Sequence, residues 1–67
     1  MDFKNILALV ADGKELDRDQ AETAFDIIMS GDATPAQIGA FLMGIRIRGE
    51  TVTEIAAAAK VMRNKAT

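Results

Sequence analysis

The eight residues from Asp12 to Asp19, Asp-Gly-Lys-Glu-Leu-Asp-Arg-Asp, carry four carboxylates and form the densest set of oxygen ligands in the chain. Such a set could hold a hard cation, because calcium takes six to eight oxygens from fixed loop positions around an invariant glycine. The register fails. Gly13 at the sixth loop position puts Ala8 at the first ligand position, and Gly31 there puts Ile28 at the third. The acidic residues read instead as a solvated loop leading into a helix N-terminus, where negative charge is favourable. Arg46 and Arg48 are the next candidates, as an anion clamp, but arginines at a helix end are more often solvated, and they are expected to be so here. Cysteine and histidine are both absent, which removes the thiolate nucleophile, the commonest general base and the usual zinc ligands. No catalytic, cofactor-binding or metal-binding residue is assigned.

Two binding functions are also disfavoured. Thr53, Glu54, Lys60, Arg63 and Lys65 could face DNA from the second helix of a helix-turn-helix. The basic residues crowd its C-terminal end, however, whereas base-reading residues sit near the N-terminal end. The net charge is −2, without a basic run or an aromatic platform, which argues against nucleic acid. No segment approaches 18 apolar residues, no helix masses basic residues opposite bulky apolar ones, and the N-terminal apolar run is too short for a signal peptide. A soluble cytoplasmic protein is the expectation.

The elements that position these residues are marked by their boundaries. Asp17 with Gln20, Thr34 with Pro35 and Gln37, and Thr51 with Glu54 repeat one helix-start pattern, a capping side chain with a glutamine or glutamate three residues on. Gly13, Gly31 and Gly49 each follow a periodic run and supply stops. Helices are expected over Asp2 to Asp12, Arg18 to Ser30, Pro35 to Arg48 and Val52 to Lys65. The 67 residues thus form one all-α domain, a small four-helix bundle with short connections. Apolar spacing assigns core faces to Phe3, Ile6, Leu7 and Val10; to Ala21, Ala24, Phe25 and Ile28; and to Ile55, Ala58, Ala59 and Met62.

The third helix departs from this pattern. Ile38, Phe41, Leu42 and Ile45 gather on one face, and Ala36, Ala40, Met43 and Ile47 on the opposite one. A helix dry on both sides is either the centre of its bundle or shared with something outside. Sharing is the expectation, because four helices of this length enclose a central one only in part. Gly39, Ala40 and Gly44 would let another backbone approach.

The run TPAQIGAFLMGIRIRGET, preceded by IIMSGDA and followed by EIAAAAKVMR, resembles the N-terminal helical domain of the family that unites anthranilate phosphoribosyltransferase with the pyrimidine nucleoside phosphorylases. The likeness extends from about Ile6 to Lys65. It rests on the combination of Met29, Gly31, Thr34, Gln37, Ile38, Ala40, Phe41, Leu42, Arg46, Gly49, Glu50 and Glu54. GET followed by EIA and a small-residue run ending in VMR is similar to the anthranilate branch, whereas the phosphorylases tend to have GM there and Trp at the position of Phe41. Ala57 departs from the glycine usual in that branch.

The resemblance implies one fifth of a larger enzyme, without the loops that hold the phosphoribosyl donor or anthranilate. The parent would transfer a phosphoribosyl group from a magnesium-bound diphosphate to anthranilate in tryptophan biosynthesis; this chain alone is not expected to be active. It also implies packing against a large α/β domain, closure over the substrate cleft, and a homodimer surface on the first and third helices. Here that surface would draw on Phe3, Leu7, Ala36, Ala40, Met43, Gly44 and Ile47. The alternatives are a free-standing helical module binding a partner through Met43 and Ile47, and the equivalent domain of a phosphorylase.

Overall fold

The computed structural model describes residues 2–65. Within them are four helices and no strand: α1 (Phe3–Ala11), α2 (Arg18–Met29), α3 (Pro35–Arg48) and α4 (Val52–Lys65). Each begins where a side chain can accept the helix's unpaired N–H groups. Asp17 accepts from the Gln20 N–H at 2.8 Å while the Gln20 amide oxygen accepts from the Asp17 N–H at 3.0 Å. Thr34 with Gln37 and Thr51 with Glu54 close the same reciprocal pair, so all three expected starts form capping boxes. Asp2 caps α1 more simply, by accepting from the Asn5 N–H.

The first two stops use one geometry. Gly13 and Gly31 adopt φ of 76° and 77°, which a side chain would resist. Their own N–H groups and those of Lys14 and Asp32 return to carbonyls of the last helical turn. The helix ends expected at Asp12 and Ser30 are therefore capping residues one position outside α1 and α2.

The core is built around Phe41 of α3, which is fully buried. Its ring lies 5.6 Å from that of Phe3 and 5.5 Å from that of Phe25, the latter edge-on, a favoured aromatic arrangement. Ile6 and Val10 of α1, Leu16 of the first loop, and Ile45 of α3 complete this half. The other half is the α2–α4 pair, the most extensive helix contact in the molecule. Its buried residues are small, chiefly Ala21, Ala24 and Ala57, with Val61, and small side chains let two helices run close together.

Two expectations about core faces are corrected. On α4 the buried residues are Glu54, Ala57 and Val61, while Ile55 and Met62 are exposed; the buried face is turned away from the stripe that hydropathy selects. The cause is polar: the Glu54 carboxylate points inward to partners described below. On α3, Phe41 and Ile45 are buried as expected, but Leu42 stands about half exposed.

Gly44 shows how close α1 and α3 come. A Cβ built there would overlap Cγ1 of Val10, whereas one on Gly39 would meet nothing within 4 Å. Gly44→Ala is therefore expected to destabilise the fold by about 1–3 kcal/mol through overpacking. Gly39→Ala, in the same helix, should stabilise it by about 0.5–1 kcal/mol through helix propensity. Chemical denaturation of the two variants checks the opposite signs.

Candidate functional site

The side chains of the second α3 face lie at the surface. Met43 is 60% and Ile47 79% exposed, and Ala36 and Ala40 are exposed as well. α3 is thus not the centre of the bundle: its Phe41 side is covered and its Met43 side is bare. Between that bare side and the end of α1 runs a groove of about 530 Å³, lined by Val10, Ala11, Gly13, Ala40, Met43, Gly44, Ile47 and Arg48. Almost all of that lining is apolar.

Four of the seven sequence-selected surface residues, Ala40, Met43, Gly44 and Ile47, come together in this groove. Three do not. Phe3 is buried against Phe41, because the aromatic cluster draws it inward. Leu7 is half-buried against the same core, and Ala36 lies outside the groove lining, nearer the N-terminus of α3. Gly44 sits in the groove but serves its own chain, since its missing side chain makes room for Val10. Ala11 and Gly13 on the α1 side are lining residues that periodicity could not single out, because a groove between helices has no period.

Arg48 closes one end of the groove and corrects the expectation of a solvated helix end. Its side chain is only 10% exposed, and its Nη2 donates at 2.6 Å to Oε2 of Glu54, which is 1% exposed. The same Oε2 accepts the Leu16 N–H at 3.1 Å, and Oε1 accepts the Thr51 N–H at 3.0 Å. Arg48 Nη1 donates to the Gly49 carbonyl, while its buried Nε has no hydrogen-bond partner. Arg46, by contrast, is solvated and pairs with Glu50 one turn on. Thr51-x-x-Glu54 announces a cap, but nothing in that spacing announces that the same carboxylate also reaches Leu16, thirty-eight residues earlier.

This network holds Glu54 ionised. Burial alone pushes its pKa up, and is the largest single influence. The hydrogen bond from Arg48, those from the Thr51 and Leu16 N–H groups, and the Arg48 charge together outweigh it, so the pKa falls below the ordinary 4.5. A carboxylate whose pKa is lower in the folded than in the unfolded chain stabilises the fold above the unfolded value, and that contribution is lost as pH falls through the folded one.

Among the described residues no three Asp, Glu, His or Cys side chains converge to hold a metal ion, and no helix is long and apolar enough to cross a membrane. The described residues form a helical bundle with a buried ion pair and a bare apolar groove. Residues 4–66 match the helical bundle domain of the glycosyl transferase family, and the chain belongs to that family, matching the N-terminal domain of its anthranilate phosphoribosyltransferases. It is 63% identical to the anthranilate phosphoribosyltransferase of Parvibaculum lavamentivorans and 62% identical to that of Rhodopseudomonas palustris strain TIE-1, each over 65 residues, 97% of this chain. The enzyme of the same name from Rhodospirillum rubrum is 60% identical over the same length. The chain spans 19% of the length of each of these relatives.

Arg48→Met would leave the Glu54 charge buried without its partner. It is expected to cost about 3–5 kcal/mol at pH 7. The loss should shrink as pH drops below 4.5 and through the lower pKa that Glu54 has in the folded chain, where the parent itself loses the ionised network. Urea denaturation of both proteins across pH 3 to 7 measures the convergence.

Proposed function

We propose that this chain is the helical domain of an anthranilate phosphoribosyltransferase, a domain that forms a homodimer surface and closes over a substrate cleft built by the rest of the enzyme. The observation that carries this reading is the bare apolar face of α3. A protein this small rarely leaves two large apolar side chains beside an apolar groove unless something covers them. Met43 and Ile47 project next to that hollow, so one surface offers both knob and hole. Two-fold pairing requires such self-complementarity.

In the whole enzyme the reaction would join a phosphoribosyl group to anthranilate, the two groups in the relatives' name; the amine would be the acceptor, and the product would serve tryptophan biosynthesis. A magnesium ion would accompany the diphosphate of the donor. The described residues of this chain do not fit that ion, since they bring no acidic cluster together. Ion, donor and acceptor are therefore assigned to the remainder of the polypeptide. The contribution of this domain is positional: holding reactants in a closed cleft supplies orientation and excludes water. The naming of these relatives favours the anthranilate branch over the phosphorylases.

The double substitution Met43→Glu, Ile47→Glu tests the dimer surface. Both side chains are exposed, so the variant should keep its helical circular dichroism. Self-association measured by sedimentation should weaken by about 100-fold or more, because each carboxylate would be desolvated in the contact. A variant that dimerises as well as its parent would remove the α3 face from the interface.

A further inference from the structure

The groove between α1 and α3 is almost wholly apolar although an arginine lines it. The Arg48 side chain is only 10% exposed, because its guanidinium is drawn inward: Nη2 donates to Glu54 Oε2 at 2.6 Å and Nη1 to the Gly49 carbonyl at 3.1 Å. Among the described residues Glu54 is the only side chain paired with Arg48, and the buried Nε has no partner. If the carboxylate were lost, only the Gly49 carbonyl would still hold the guanidinium. An arginine without its counter-charge is costly to keep buried, so it would turn out to water at the end of the groove that it now lines. The same carboxylate accepts the Leu16 N–H at 3.1 Å, three residues beyond Gly13 on the α1 wall. Both walls are thus anchored to Glu54, which is not itself a lining residue.

We propose that Glu54 is a positioning residue for the pairing surface: it withdraws the Arg48 charge from the α1–α3 groove and so lets that groove receive the Met43 and Ile47 side chains of a second copy. The inference rests on the reading of the α3 face as a homodimer surface and adds what keeps that surface apolar. Two-fold symmetry doubles any charge left in such a contact, so a released guanidinium in each copy would set two like charges into one interface, each stripped of water. With Glu54 in place the pair is neutral, and the guanidinium has already left water within the monomer. The groove is therefore prepared before the second copy arrives.

The test compares self-association by sedimentation at pH 7, under conditions where circular dichroism shows each chain folded. Glu54→Gln, which keeps the cap of α4 but not the charge, should weaken association by about 10-fold or more. Adding Arg48→Met to Glu54→Gln removes the charge that was released, and association should recover by about 10-fold over Glu54→Gln alone. A role for Glu54 in the fold alone predicts no such recovery among folded chains. Ala11→Arg sets a guanidinium on the exposed α1 wall with the network untouched and should weaken association about 10-fold more than Ala11→Met, which has bulk without charge; this comparison reads the proposal even if Glu54→Gln does not fold. A folded Glu54→Gln chain that associates like its parent, a double variant no better than the single one, or Ala11→Arg matching Ala11→Met each overturns the assignment. If Met43→Glu, Ile47→Glu abolishes pairing while these substitutions leave it intact, the dimer surface stands and only the role of Glu54 falls. If that pair leaves association intact as well, the dimer reading falls and takes this assignment with it.

Discussion

One carboxylate ties together segments that hydrophobic packing alone would leave loosely related. Glu54 accepts hydrogen bonds from the first loop at Leu16, from the start of its own helix at Thr51, and from Arg48 at the end of α3. The end of α3, the start of α4 and the loop between α1 and α2 are thereby held at one buried point. The ionised form costs desolvation, which charge-assisted hydrogen bonds repay only when nearly every lone pair is used. Here both oxygens are occupied. The network also explains why Leu16, a loop residue, is buried: its N–H is held inward by Glu54, and its side chain follows into the core.

The same constraint determines what could be read from the sequence. Helix boundaries were legible to within one residue because they depend on local chemistry: a capping side chain, a proline at the first turn, a glycine beyond the last. The core faces of α1 and α2 were legible too, since their apolar spacing and their burial agree. α4 was misread. Apolar periodicity chose Ile55, Ala58, Ala59 and Met62, but a rule that counts only hydrophobicity cannot place a glutamate at the centre of the buried face. Arg48 was misread for the same reason, as its partner is set by tertiary contact and not by helical spacing. Of the site, the bare side of α3 was visible as a helix with too few polar residues. The α1 wall of the groove was not, because it exists only once two helices meet. The family likeness reached further than any of these local rules, since it compares whole patterns of residues at once.

Placing Glu54 inward has a consequence for the outside of the molecule. A helix turned to bury a glutamate and an alanine must turn something else out, and on α4 these are Val52, Ile55 and Met62. α3 reaches the same condition by another route, with an aromatic core face on one side and Met43 and Ile47 on the other. Among the large apolar side chains in the described residues, the most exposed therefore lie on two separate helices and point to two separate surfaces.

A self-sufficient protein of this length would be expected to invest its large apolar side chains in its own core, which at this size is marginal. This chain builds the α2–α4 half of its core from alanines and leaves an isoleucine, a valine and a methionine of α4 outside. The disposition is uneconomical for an isolated bundle and well suited to one layer of a larger body. The buried ion pair ties the end of α3 and the start of α4 to the first loop from within, and the two apolar faces are left on separate surfaces.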